Sequence, residues 1–178
     1  MSRWWYVWGI PVLFSLTFLV SAGYAGKTQI SYSLTELGGG SWQYSYEVSN
    51  ISLGVPIKEF TIRFDYGLYE NLAITTPNPP ARDWDELVFQ SDPVIGDDGF
   101  YDALHLTLGI GEGQSVSDFS VSFDWLSTDT PGSQFYEIVD PDNNYITIDS
   151  GFTVPEPATS LLMLVGYAGL INRGRRAL

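Results

Sequence analysis

Residues 59–66 of the chain read Glu-Phe-Thr-Ile-Arg-Phe-Asp-Tyr, so polar and apolar side chains alternate at every step. Successive side chains of a strand point to opposite faces, and the pattern predicts a strand with one face in a core and the other in water. Residues 119–125, Phe-Ser-Val-Ser-Phe-Asp-Trp, repeat the motif. The repeat reflects either comparable places in two facing sheets or the shared alternation of amphipathic strands. We expect the common Asp65 and Asp124 in strand-end turns rather than in catalysis.

Further alternating or β-rich segments predict the remaining strands, at 30–34, 42–48, 84–89, 101–108, 135–139 and 145–152. Clusters of glycine, proline, asparagine and aspartate separate them, as turns require. The chain is 15% aromatic and contains 18 glycines and 10 prolines, which favours sheets over a helical bundle. The sequence predicts an all-β fold, a single antiparallel β-sandwich of about eight strands, over residues 26–153.

Composition narrows the chemistry of this domain. The chain has no cysteine, which excludes disulfides, a thiolate nucleophile and a sulfur-based zinc site. Residues 26–157 carry four Lys or Arg and all 21 Asp or Glu, a net charge of −17. Such a surface repels phosphate backbones, so we expect no nucleic acid partner.

The N-terminal segment has the order of a secretory signal peptide. One arginine precedes an apolar stretch at residues 7–20, and small residues follow it. We expect a helical signal, residues 1–25, with cleavage between Ala25 and Gly26; cleavage after Ala22 is the alternative. The stretch is short for a hydrocarbon core of about 30 Å, which disfavours an uncleaved membrane anchor.

Residues 154–178 form a second terminal segment with three ordered parts. A short motif, Val154, Pro155, Glu156 and Pro157, comes first. A weakly polar stretch at 158–171 follows, and a helix there spans about 21 Å at ~1.5 Å per residue, which makes a marginal transmembrane anchor. The segment ends with a basic cluster, Arg173, Arg175 and Arg176. The positive-inside rule keeps the arginines cytoplasmic and places the motif outside, as an extended, exposed stalk.

Together these three parts resemble a PEP-CTERM sorting signal, over about 25 residues. Membership of that family implies export, processing by a membrane-embedded exosortase and a Gram-negative host that makes extracellular polysaccharide. The resemblance therefore implies that secretion machinery and exosortase are transient partners. It also implies a protein anchored in the inner membrane before processing and located at the cell surface or in the extracellular matrix afterwards. An ordinary C-terminal anchor with a chance Pro-Glu-Pro is the alternative.

Few residues suggest catalysis or cofactor binding. The single histidine, His105, is expected to be a partly exposed strand residue opposite the face shared by Leu104, Leu106 and Leu108. Carboxylates are so numerous that some pair will lie at a separation used for glycoside hydrolysis, so their number is not evidence for a hydrolase, and we name no catalytic pair. We expect that the protein is not an enzyme. Asp140, Asp142 and Asn144 alternate in one loop and are candidate Ca²⁺ ligands. We favour a polar hairpin turn, because Tyr145 and Gly151 stand where a calcium loop needs its glycine and its glutamate.

Aromatic side chains at strand starts suggest one more kind of site. Trp42 and Trp84 are candidates for stacking on sugar rings, although aromatic residues also fill β cores. The sequence thus predicts a non-enzymatic surface or matrix protein linked to exopolysaccharide or biofilm. A carbohydrate-binding module is the alternative, and a secreted hydrolase is a third reading.

Overall fold

The computed structural model describes residues 26–77 and 83–156, and in these ranges the fold is all-β. Ten strands are described: β1 (Thr28–Gly38), β2 (Ser41–Asn50), β3 (Glu59–Phe64), β4 (Tyr69–Ile74), β5 (Trp84–Phe89), β6 (Gly99–His105), β7 (Gln114–Trp125), β8 (Phe135–Asp140), β9 (Ile146–Phe152) and β10 (Val154–Pro155). They form two five-stranded sheets, sheet A in the order β10-β1-β2-β7-β4 and sheet B in the order β5-β6-β3-β8-β9. All pairs are antiparallel except β1 with β10.

The predicted all-β class and the two-sheet arrangement are confirmed. The eight strands predicted from alternation and β-propensity are all present, with ends that differ by a few residues. The predicted signal helix and C-terminal helix lie outside the described residues. Across 26–77 and 83–156, no helix is long and apolar enough to cross a membrane.

The prediction missed β4 and β10. In β4 the backbone of Asn71 has a positive φ of 54°, and the pairing with β7 shifts between Glu70 and Ala73. This irregularity breaks the period of two on which the sequence reading depends. The two-residue β10 contains Pro155, which is compatible with a strand at a sheet edge.

The core between the sheets is built largely from aromatic rings. Tyr44 of β2 lies at its centre and is fully buried. Its ring stacks on Phe123 of β7, with centroids 5.0 Å apart, and contacts Tyr32 edge-on at 5.2 Å. From sheet B, Phe64 of β3 completes the cluster at 6.4 Å from Tyr44 and 5.1 Å from Tyr69. These rings join the two sheets in a fold without disulfides.

The two similar segments lie in opposite sheets and pack against each other. Phe60 of β3 meets Phe119 of β7 edge-on, with ring centroids 5.0 Å apart. Four residues further along each strand, Phe64 and Phe123 are 6.3 Å apart. The apolar residues of the two alternating segments therefore form the two halves of one core.

The face of β6 that enters the core is not the leucine face. Tyr101 and Ala103 are fully buried, and the strand ends at His105. Leu106 and Leu108 follow the strand and are 60% and 79% exposed. Strand β6 thus buries Tyr101 and Ala103 in the core and turns Leu104 to the outer side of sheet B.

We expect the central ring of the core to dominate stability. Replacing Tyr44 by alanine should lower the free energy of unfolding by about 3–5 kcal/mol, as for other buried aromatic residues. Tyr44→Phe keeps the ring but loses the hydroxyl hydrogen bond to Gly132 O (2.7 Å) and should cost only about 1 kcal/mol. Urea unfolding of both variants measures the difference, and equal losses would contradict a core held by ring packing.

Candidate functional site

The outer side of sheet B carries a row of phenylalanines across its strands. The register places Phe89 of β5 beside Phe100 of β6, and Phe100 beside Arg63 of β3. On the other half of the sheet, Phe135 of β8 lies beside Phe152 of β9. Each of these positions alternates with core-facing positions on its strand, so the five side chains point away from the core. We call the four phenylalanines the phenylalanine row.

The rings of this row form an apolar ridge rather than a flat platform. Phe89 stacks on Phe100 with centroids 4.6 Å apart and planes 25° apart, so each ring covers one face of the other. Phe135 and Phe152 meet at 65° with centroids 5.6 Å apart. Phe89 is 53% and Phe152 is 67% exposed. Five strands at about 4.8 Å spacing make the ridge about 19 Å long.

Arg63 fills the middle of the ridge and is fixed from two sides. Its guanidinium lies 5.5 Å from the centroid of the Phe100 ring. It also donates a hydrogen bond of 2.9 Å to Glu137, whose second oxygen accepts one from Thr147 at 3.0 Å. Thr61 of β3 donates to Asp102 at 2.6 Å. A line of oriented polar groups therefore runs beside the ridge.

Three carboxylates surround Leu104 on the same outer side. Glu59 and Asp85 lie beside Leu104 in the neighbouring strands, and Asp102 is two residues from Leu104 in β6. Burial, and then the charge of Asp102, raise the pKa of Glu59 above its usual 4.5. Burial is also the main cause that raises the pKa of Asp102, against the hydrogen bond from Thr61. We call Glu59, Asp85 and Asp102 the carboxylate trio.

The tryptophans predicted to stack on sugars lie elsewhere, and Trp84 requires a correction. Its side chain is only 4% exposed and packs edge-on against Phe60 and Phe119, with centroid distances of 5.6 and 5.0 Å. A core ring of this kind presents no face to a ligand. Trp42 is half-buried, packs against the core and pairs with Phe123 of β7. Neither residue is part of the phenylalanine row.

The loop that suggested calcium is a tight polar hairpin between β8 and β9. The Asp140 carboxylate accepts a hydrogen bond from the Asp142 amide at 3.1 Å, and the Asp142 carboxylate pairs with Lys58. Asn144 and Tyr145 both have a φ of 56°, which reverses the chain. Within residues 26–77 and 83–156, no group of three or more His, Asp or Glu side chains could hold a metal ion.

The first three residues of the predicted sorting motif lie on the edge of sheet A. Val154 and Pro155 form β10, which runs parallel to β1, and the Glu156 amide donates to Tyr32 O at 2.8 Å. The motif is exposed, as expected, but it is paired with the domain rather than held away from it as a stalk. Gly26 is the exposed first residue of the described range. Ala25, Pro157 and the predicted basic cluster lie outside the described residues.

The remaining candidates have local structural contacts. Asp65 follows β3 directly, and its carbonyl accepts the Leu68 amide in a turn. Asp124 lies within β7, next to its last residue, rather than in a turn as expected. It accepts hydrogen bonds from Ser41 and Asn71, which hold the pKa of its carboxyl below the usual range. His105 is partly exposed, as expected, and its Nδ1 accepts the Thr107 amide at 2.9 Å.

Sequence reasoning missed the phenylalanine row because its members come from four strands. Phe89 and Phe152 end their strands, and nothing local distinguishes them from core residues. Arg63 was the available signal: it faces away from the core by alternation, and pairing β3 with β6 would have placed Phe100 beside it. That inference requires the register between β3 and β6, which cannot be read from the sequence.

Comparisons with known proteins add little to this geometry. No family model and no curated protein matches the chain. A family 3b carbohydrate-binding module from the biomass-sensing system of Clostridium clariflavum aligns with a TM-score of 0.40 and 9% identity, over 64% of this chain and 92% of the module. The GH20 exo-β-N-acetylglucosaminidase of Vibrio harveyi, solved with N-acetylglucosamine, aligns with a TM-score of 0.39 and 10% identity, over 74% of this chain and 18% of the enzyme. At these TM-scores the similarities carry no argument about function.

The raised pKa of Glu59 predicts a pH dependence. The folded state keeps a proton that the unfolded state releases from about pH 4.5 upward, so stability falls as pH rises from there through the folded pKa. Glu59→Gln removes this penalty and should raise the urea midpoint at about pH 8, with a gain that shrinks toward about pH 4. The same substitution at the exposed Glu70 is the control. A gain that does not change with pH would contradict the assignment.

Proposed function

We propose that this chain is an exported, non-enzymatic protein of the cell surface or extracellular matrix, whose β-sandwich binds polysaccharide on the outer side of sheet B. The observation that carries the proposal is the phenylalanine row, an exposed apolar ridge beside a line of fixed polar groups. A single exposed phenylalanine needs no explanation, but exposed apolar side chains aligned across a whole sheet mark an interaction surface.

The chemistry of sugars fits such a surface. A pyranose ring has an apolar face of C–H groups and a rim of hydroxyls that both donate and accept hydrogen bonds. The C–H face can lie against the exposed rings of Phe89 and Phe152, where burial of apolar surface favours binding. The hydroxyl rim can reach Asp102 and Glu137, whose carboxylates already have fixed orientations. Ordered acceptors of this kind lose little entropy on binding.

The proposal includes sorting through the C-terminal segment. The resemblance to a PEP-CTERM signal supports export and processing by an exosortase, with the inner membrane as a transient location. Glu156 is exposed at the end of the described domain, where an extended peptide would be accessible to an enzyme. The pairing of Val154 with Ser31 implies that processing requires β10 to leave the edge of sheet A, or takes place beyond it.

The exposed rings of the ridge give a direct test of binding. Phe152→Ala should weaken retention on insoluble polysaccharides by about tenfold, because it removes the most exposed ring of the ridge. Phe89→Ala should act in the same direction. Tyr145→Ala is a matched control, because Tyr145 is 66% exposed but lies in the β8–β9 turn. Pull-down on a panel of neutral and amino polysaccharides measures the effect, and equal losses in Phe152→Ala and Tyr145→Ala would exclude the ridge as the binding surface.

Sorting can be tested separately from binding. The native gene, expressed with and without an exosortase, should give products of different intact mass, the shorter one lacking part of residues 158–178. Mass spectrometry of the exported protein measures this. A product that keeps residues 158–178 under both conditions would refute processing and would leave the binding proposal unaffected.

A further inference from the structure

We propose that the polysaccharide bound on the outer side of sheet B carries free amino groups, and that these bind at the carboxylate trio while sugar rings lie against the phenylalanine row. This inference rests on the proposed function and specifies its ligand. A polymer of unacetylated amino sugars, such as β-linked glucosamine, has both features that the surface requires: apolar ring faces and a positive charge on each unit.

The charge on this side of sheet B is the first argument. Among the described residues of the sheet B strands, the outward-facing carboxylates are Glu59, Asp85, Asp102 and Glu137, and Arg63 pairs with Glu137. The trio around Leu104 therefore keeps an excess of negative charge. In addition to burial, the charge of Asp102 raises the pKa of Glu59, and the charge of Asp85 raises the pKa of Asp102, so these carboxylates repel one another. An ammonium group of the ligand would offset this repulsion.

Glu59 provides an independent observation. Its side chain is on the outer side of β3 yet only 9% exposed, and its Oε2 has no hydrogen-bond donor among the described residues. A buried carboxylate oxygen without a donor costs free energy that folding alone does not recover. A ligand N–H that reached this oxygen would provide the missing donor. Buried polar atoms without a partner are uncommon in folded proteins, and a ligand donor would account for this one.

The charge of the whole domain favours the same class of ligand. With a net charge of −17 over residues 26–157, the surface repels polymers of uronic acids and attracts polycations. The same charge disfavours a second copy of this chain as the occupant, since two acidic faces would meet. The ligand class that satisfies both the ridge and the charge is therefore a cationic polymer with apolar ring faces.

The distance between the phenylalanine row and the carboxylate trio requires an oligosaccharide as the ligand. Phe100 and Leu104 are four residues apart in β6, so the ridge and the centre of the trio are about 13 Å apart at ~3.3 Å per residue. Asp102 lies midway between them. A single sugar on the ridge can reach Asp102 but neither Glu59 nor Asp85, whereas a chain of a few units can contact all three. We therefore expect a strong dependence of affinity on oligomer length.

The test uses the full-length chain in a sugar-free, non-ionic detergent, at mildly acidic pH where amines are protonated. Calorimetry compares three β-1,4-linked hexamers, of glucosamine, N-acetylglucosamine and glucose. The glucosamine hexamer should bind at least about tenfold more tightly than the other two, and added salt should weaken its binding.

Two double variants test the role of the trio. Asp85→Asn with Asp102→Asn should abolish the preference for the glucosamine hexamer. Glu36→Gln with Glu70→Gln changes the net charge equally on exposed positions of sheet A and should leave it intact.

Each other outcome has a defined meaning. Equal binding of the three hexamers, with loss in Phe152→Ala, would overturn this inference and leave the proposed function standing. Absence of binding to any hexamer or to the polysaccharide panel would contradict both this inference and the proposed function. Equal losses of glucosamine hexamer binding in the two double variants would show that net charge alone attracts the polymer, and would also overturn the inference. The same conclusion would follow if polylysine bound as tightly as the glucosamine hexamer and Phe152→Ala did not weaken polylysine binding.

Discussion

The fold depends on aromatic rings that meet across the space between two sheets. Tyr44 and Phe123 from sheet A and Phe64 from sheet B form the centre of this contact, and each is buried almost completely. Rings of this size bury about 150–250 Å² each, which is enough for a small set of them to replace the disulfides that many exported domains use. Edge-on and stacked contacts also restrict how the sheets can slide, because each ring fits between specific neighbours.

The aromatic contact between the sheets also explains why the side chains on the outer side of sheet B are informative about binding. The core uses every second residue of β3, β6 and β8, and the alternate residues lie on the outer side of sheet B. Those positions would be polar in a sheet that faces only water. Here one row is mainly apolar, and the next row contains two carboxylates, Asp102 and Glu137, which hydrogen bonds hold in place. This arrangement has no evident use in folding, which is why we associate it with binding.

The sequence predicted the fold better than the site. Alternation and β-propensity found eight strands because the core selects side chains locally, residue by residue. It missed β4, where Asn71 interrupts the period. It left Trp84 open between sugar stacking and the core because both faces of β5 carry large apolar residues, and only the pairing with β6 shows which face enters the core. The phenylalanine row depends on register between strands distant in sequence, and a pattern within one strand cannot supply it. Export and sorting rest on the two terminal segments and remain predictions.

The parallel pairing of β10 with β1 has a mechanical consequence. In a chain held by its C-terminal end, tension enters the domain at Glu156 and runs along β10, parallel to β1, so the first contacts are loaded in shear. Pro155 has no N–H, and the link depends on few bonds, among them that from the Glu156 amide to Tyr32 O. Under load, these bonds would break before the aromatic core is strained.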